Sequence, residues 1–214
     1  GEEKRNAANA IREAGEQERK RIAADLHDNI GAYASAISAD VEKLSLGGFQ
    51  NTPYALDNLR NHSAEIIRSL RDTIWVLKKE DITLTSVSDR IKNYVSKLAS
   101  SYPAFTVNSE EQVTVDIKIG SKKALNLYRI IQEAVSNSLK HSEGNELRLS
   151  VKGDENGYSI SVKDNGKGIG RMDNREGNGM QNIKLRAEES GFDLDIISSP
   201  GSGTEIIVGQ SPAT

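Results

Sequence analysis

The sequence contains no cysteine, which excludes disulfides and thiolate metal centres, and its three scattered histidines cannot build a structural zinc site. Apolar runs are short. None approaches the roughly 18 residues of a membrane span, and the amino terminus, GEEKR, is charged rather than signal-like. Charge of one sign is also lacking: 31 acidic against 28 basic residues leave −3, too little to draw the chain onto nucleic acid or anionic lipid. Any phosphate binding must therefore be local. What remains is a chain of 214 residues, 36% hydrophobic and 28% charged, enough for two modest soluble domains. Its lack of cysteine suits a reducing cytoplasm, and a membrane anchor, if the full protein has one, is expected outside this chain.

Between residue 4 and about 45 there is no proline and only Gly15 and Gly31 interrupt a run of good helix formers, which predicts one long helix. Ile22, Leu26, Ile30, Tyr33, Ile37, Val41 and Leu44 form a stripe close to the helical period. The breaker stretch LGGFQNTP at 46–53 follows, then a second stripe at Leu56, Leu59, Ser63, Ile67, Leu70, Ile74 and Leu77. A two-helix hairpin covers only one side of each helix. The uncovered apolar surface predicts a homodimeric four-helix bundle, with packing on the other domain as the alternative. The charged stretch KKEDIT at 78–83 reads as a linker, dividing the chain into 1–80 and 81–214.

Beyond the linker the pattern alternates. It predicts helices near 84–101, 121–141 and 179–190, and strands near 104–108, 113–119, 145–152, 158–164, 192–198 and 204–209. DENG at 154–157 is a hairpin turn signal. The fold class is therefore α+β: a helical hairpin followed by a helix-covered mixed sheet.

On the helix at 121–141, with Glu133 at 0° and about 100° per residue, Asn137 falls at about 40° and Lys140 at about 340°. Leu127, Ile130, Ile131, Ala134 and Val135 fill the arc from about 60° to 200°. One face is core and the other offers a carboxylate, an amide oxygen suited to Mg²⁺ and an ammonium suited to phosphate. DNGKGI at 164–169 ends a strand, and GNGMQN at 177–182 opens a helix. Asp164 can accept from an adenine amine, glycines let backbone approach a ligand, and a helix amino terminus offers N–H groups to phosphate. GSGT at 201–204 adds the Thr204 hydroxyl, for the base or a bridging water.

In this combination and order, these elements resemble the ATP-binding domain of sensor histidine kinases and of the wider gyrase and Hsp90 superfamily, over residues 84–209. The resemblance implies an α/β sandwich that uses ATP and Mg²⁺, with Asn137 on the metal, Glu133 beside the γ-phosphate and Asp164 on adenine. Gly166, Gly168, Gly177 and Gly179 take the family's glycine positions, and residues 170–178 are expected to form a short mobile lid. His141, at the edge of the apolar arc, is expected to pack or cap near the nucleotide, with phosphate contact as the alternative.

The first helix agrees. ERKRIAADLHDNIG at 18–31 resembles the phosphoacceptor box of the histidine kinase subfamily that includes nitrate and lipid-fluidity sensors. His27 lies about 100° from Leu26, on the flank of the stripe, and Asp28 beside it is placed to take the ring proton. His62 has only Asn61 and Ser63 as neighbours and reads as structural or solvated. The subfamily usually carries a glutamine five residues after the histidine, where this chain has Ala32 followed by Tyr33. The lid lacks a phenylalanine between Gly170 and Gly177. The reading implied is a sensor histidine kinase core that autophosphorylates His27 and passes phosphate to a response-regulator receiver domain. A nucleotide-gated dimeric module without kinase activity, and an ATPase or protein-serine kinase on the same fold, are the alternatives. Nucleic acid and direct membrane contact are not expected of this fragment.

Overall fold

The structure is a computed structural model that describes residues 2–45, 52–78, 82–169 and 178–211. It divides into two compact units, Gly1–Glu80 and Asp81–Thr214. No helix among the described residues is long and apolar enough to cross a membrane.

The first unit is a helical pair, α1 (Glu2–Ser45) and α2 (Thr52–Lys78). Its packing differs from expectation by one position along α2. Ala55, Thr73 and Val76 are buried, whereas Leu56, Ile67 and Ile74 of the expected stripe are 54%, 50% and 45% exposed. Helix α2 therefore carries two adjacent stripes, one step apart, and periodicity alone cannot say which of them meets α1. Val41 of α1, at 47% exposure, joins the uncovered surface. The seam is also more polar than expected. Asp40 is 5% exposed, and its Oδ2 lies 3.2 Å from Nδ1 of half-buried His62, near enough for charge pairing but not aligned as a hydrogen bond. The Tyr33 ring lies 6.2 Å from that imidazole. The acidic neighbour that His62 lacks in sequence is thus supplied by the opposite helix.

The second unit is an α/β sandwich. A five-stranded mixed sheet, in the order β1-β2-β3-β5-β4, comprises β1 (Thr106–Val113), β2 (Glu146–Asp154), β3 (Gly157–Asp164), β4 (Asp193–Ser198) and β5 (Thr204–Gln210). Strands β1 and β2 are parallel and the other pairs antiparallel. Helices α3 (Leu84–Ala99), α4 (Ser121–His141) and α5 (Asn178–Ser190) cover one face. Period-two alternation sends Leu147, Leu149 and Val151 of β2 and Tyr158, Ile160 and Val162 of β3 toward the helices, while Arg148, Lys152 and Lys163 face water. Helix α4 meets them with Leu127, Ile130, Ile131, Ala134 and Val135, all at most 1% exposed. Each of the four larger side chains contributes roughly 1.5–3 kcal/mol of transfer free energy, so α4 is fixed in rotation by its apolar arc. The hairpin turn is as expected: Asp154 Oδ1 accepts from Asn156 N at 2.7 Å, and Gly157 takes φ +118°.

One expectation is corrected. In place of strands near 104–108 and 113–119 there is a single strand β1 running through the polar run SEEQ, because an edge strand bonds on one side only and tolerates polar residues on both faces. Glu111 within it accepts from Ser88 and Lys92 of α3, and the lysine contact above all holds its carboxyl below the usual range. The segment after β1 makes an isolated bridge, Thr83 to Lys118, flanked by Leu84 N to Ile117 O at 2.9 Å and Ile119 N to Ile82 O at 2.8 Å.

Tyr158 yields a test of the core. It is 8% exposed, its hydroxyl has no hydrogen-bond partner among the described residues, and burial pushes its pKa from 10.0 up to about 12. A folded pKa above the unfolded value means that the unfolded state ionises first, so stability is intact below pH 10 and falls as pH rises toward 12. Tyr158→Phe is expected to match or exceed the parent at pH 7, by up to about 1 kcal/mol, and to lose less stability over the alkaline range. Denaturant unfolding at pH 7, 10 and 11.5 checks this, and a clear loss at pH 7 would show that the hydroxyl is partnered.

Candidate functional site

The inward row of β3 ends in a charge. Asp164 follows Tyr158, Ile160 and Val162 in phase, so alternation delivers its carboxylate beneath α4, where it is 4% exposed. A buried carboxylate is costly unless its oxygens are satisfied. Oδ1 accepts from Gly166 N at 2.9 Å and from Thr204 N at 3.2 Å, and Oδ2 accepts from Ser138 Oγ at 2.8 Å. Helix α4, the loop after β3 and the start of β5 therefore converge on one side chain.

That convergence requires glycine. A Cβ at Gly166 would fall on the Ser142 carbonyl oxygen, and one at Gly203, where φ is +79°, would fall on the carbonyl oxygen of Asp164 itself. The loop is then pinned from both sides. Lys167 N donates to Ser142 O at 2.7 Å, Ile169 N to Ser198 Oγ at 2.8 Å, and Gly201 N to Lys167 O at 2.7 Å. Asn165 Oδ1 accepts from the backbone of Asn145 and Glu146, each at 2.9 Å, tying the loop to the start of β2. Ser198 Oγ lies 2.9 Å from Thr204 Oγ1, so the threonine hydroxyl is held at the start of β5.

These elements enclose a cavity of about 760 Å³. Among the expected residues, Glu133, Asn137, His141, Asp164, Gly168, Gly179 and Thr204 line it. Glu133 and Asn137 are half-buried on the same face of α4, and a Cβ at Gly179 would overlap the Glu133 carboxylate and come 3.4 Å from Asn137 Nδ2. The first turn of α5 thus packs directly on this acid–amide pair, and Asn126 Nδ2 donating to Ser190 Oγ at 2.8 Å ties α5 to α4 farther along. His141 is exposed rather than packed. Gly166 is buried and supports the carboxylate from behind without lining the cavity. Lys140 is exposed and does not line it either; the lysine that does is Lys167, whose Nζ pairs with Glu143 at 2.6 Å. Of the lid expected at 170–178, Asn178 opens α5, and residues 170–177, Gly177 among them, lie outside the described residues. So does the side chain of Asp28, while His27 is exposed on α1.

Sequence reasoning missed Ser138, Ser142, Ile169, Met180 and Ile206, all of which line the cavity. A signal for Ser138 was present: at about 140° from Glu133 it interrupts an otherwise apolar arc, and a hydroxyl there needs a partner. No group of three or more histidine, aspartate or glutamate residues suited to a metal occurs among the described residues.

Comparison with known proteins agrees with this architecture. Residues 122–214 match the family described as histidine kinase-, DNA gyrase B-, and HSP90-like ATPase, and residues 18–82 match the family described as histidine kinase. Sensor protein VraS of Staphylococcus haemolyticus is 30% identical over 199 residues, covering 90% of this chain and 55% of its own length. The chain thus spans about half the length of the curated relatives it matches. Among solved structures, the histidine kinase domain of the Erythrobacter litoralis EL346 blue-light activated histidine kinase superposes with a TM-score of 0.55 at 13% identity, covering 85% of this chain and 94% of that one. Acinetobacter baumannii histidine kinase AdeS gives 0.54 at 12% identity, covering 84% and 94%. Residues 18–82 thus carry a histidine kinase segment and residues 122–214 an ATPase domain of the histidine kinase, gyrase and Hsp90 type, the two parts of a histidine kinase catalytic core.

Glycine geometry around Asp164 gives a paired test. Gly203 and Gly191 both have positive φ, at +79° and +62°, but an added Cβ at Gly191 meets nothing within 4 Å. Gly191→Ala is expected to cost about 1 kcal/mol for backbone strain alone, and Gly203→Ala at least about 2 kcal/mol more, because backbone must move away from Asp164. Urea unfolding of the two variants measures the difference; equal costs would show that the loop yields freely.

Proposed function

We propose that this chain autophosphorylates on His27 at the expense of ATP and passes the phosphoryl group to an aspartate of a response-regulator receiver domain. The observation that carries the reading is the presence, in one chain, of the Asp164 cavity and of an exposed histidine in the segment that matches the histidine kinase family. Residues 1–80 act as the dimerisation and phosphotransfer domain and residues 81–214 as the catalytic domain. The exposed apolar surface at Val41, Leu56, Ile67 and Ile74 supports a homodimeric four-helix bundle, since it lies on a hairpin that cannot cover it alone. The lack of cysteine suits the reducing cytoplasm.

In this reading the remaining acceptor site of Asp164 takes the 6-amino group of adenine, and Thr204 offers its hydroxyl beside it. Toward the phosphates, Glu133 and Asn137 share one face of α4 with the first turn of α5 packed on them. An amide oxygen with a nearby carboxylate fits Mg²⁺, which takes hard oxygen donors and draws its other ligands from phosphate and water. Asn137 is the residue proposed to hold that ion, which when bound neutralises phosphate charge. Lys140 finds no support as the phosphate contact in the cavity lining. Positioning and charge neutralisation supply most of the catalysis in such a transfer. A ring nitrogen of His27 bonds to the γ-phosphorus as the bond to the bridging oxygen breaks and ADP leaves. The ring proton passes to a carboxylate, for which Asp28 is the proposed acceptor.

His27→Gln is expected to abolish autophosphorylation while ATP affinity stays within about threefold, because acceptor and nucleotide site belong to different units. Radiolabel transfer and calorimetric titration check the two halves, and retained histidine label in that variant would sink the assignment. Ala32 generates a second expectation. A water attacking an aspartyl phosphate needs a hydrogen-bonding partner, which an amide offers and a methyl group does not. The chain is expected to dephosphorylate its regulator slowly, and Ala32→Gln to accelerate this by about tenfold or more. Regulator dephosphorylation followed with ADP and Mg²⁺ measures both, and fast decay unchanged by the glutamine would mean that other residues position the water.

A further inference from the structure

We infer that Ser138 is a positioning residue that sets base selectivity in the cavity, by fixing Asp164 so that one acceptor site alone faces the ligand. The inference rests on the reading of this cavity as a nucleotide site. A carboxylate offers about four lone-pair sites. Both on Oδ1 are used by backbone, from Gly166 at 2.9 Å and Thr204 at 3.2 Å, and one on Oδ2 is used by the Ser138 hydroxyl at 2.8 Å. A single site on Oδ2 is left, on a side chain only 4% exposed that lines the cavity.

The three donors are not equivalent. The two backbone N–H groups fill Oδ1 and leave both acceptor sites of Oδ2 to be divided between Ser138 and a ligand. Oδ2 is held by Ser138. With both sites of Oδ2 open, the carboxylate can receive two adjacent N–H groups, as from the N1–H and 2-amino edge of guanine. With Oδ1 turned to backbone and Oδ2 tethered, it receives one, which suits the 6-amino group of adenine. Ser138 is itself 7% exposed where it lines the cavity, so its hydroxyl is the nearest side-chain donor to Oδ2. The competing explanation is that the hydroxyl merely satisfies a buried charge. Its removal would then weaken the fold and affect all nucleotides alike.

Titration calorimetry of the full chain with Mg-ATP and Mg-GTP distinguishes the two, alongside thermal unfolding. Ser138→Ala is expected to weaken ATP binding about tenfold, the scale of one charge-assisted hydrogen bond, with GTP changing less than about twofold, so that the preference for ATP narrows. Ser138→Thr, which keeps the hydroxyl, is expected to restore most of that preference. A lowered melting temperature in Ser138→Ala with the ATP-to-GTP ratio within about twofold of the parent overturns the inference. Should Ser138→Ala not fold, Ser138→Cys, a weaker donor of similar size, is read in the same way. Asp164→Asn separates the underlying reading. If it leaves ATP affinity unchanged, the adenine pocket itself is misassigned; if it removes the ATP preference while Ser138→Ala does not, only the role of Ser138 fails.

Discussion

The second unit depends on the solvation of one buried carboxylate. Asp164 is placed under α4 by the alternation of β3, and an ionised group there is tolerable only when donors replace the water it has lost. They come from three elements, Ser138 on α4, Gly166 in the following loop and Thr204 at the start of β5. Their approach requires backbone so close that a Cβ at Gly166 or Gly203 would collide with a carbonyl. The glycine motifs are thus consequences of satisfying Asp164 as much as devices for admitting a ligand. The unused acceptor site on that carboxylate is what a ligand entering the cavity finds.

Helix α4 serves the fold and the site with opposite faces. Its apolar arc locks it to the sheet, and that lock sets the direction of Glu133 and Asn137, since a helix fixed in rotation has no freedom left for its other face. Helix α2 shows the opposite case. Its two neighbouring apolar stripes divide between its own hairpin and an exposed surface, a division that fits a second copy of the chain. In the proposed reading the first unit brings the acceptor histidine and the second brings the nucleotide.

Much of this was legible in the sequence wherever one periodicity dominated. Helix α4 and the β2–β3 hairpin follow from single, well-separated patterns and a DENG turn. So do the lining residues Glu133, Asn137, Asp164 and Thr204, because motif order and helical phase restrict them together. Where patterns compete, sequence reasoning loses. The seam of α2 lies one position from the expected stripe because adjacent stripes have the same period. The two strands expected near 104–108 and 113–119 are one strand β1, because its polar SEEQ run breaks the alternation that marks a half-buried strand although an edge strand tolerates it. The neighbour of His62 comes from Asp40 on the other helix, beyond any local reading. Ser138 was visible as a hydroxyl in an apolar arc, but its partner emerged only once β3 was laid beneath α4.

The central claim is that the nucleotide cavity of one unit phosphorylates the histidine of the other. The most direct measurement is to incubate the purified chain with Mg-ATP and locate the phosphate by mass spectrometry under conditions that preserve phosphohistidine. The account predicts an acid-labile, base-stable phosphate on His27. Acid-stable phosphate on a serine or threonine, or phosphate on His62 or His141 in place of His27, would contradict it.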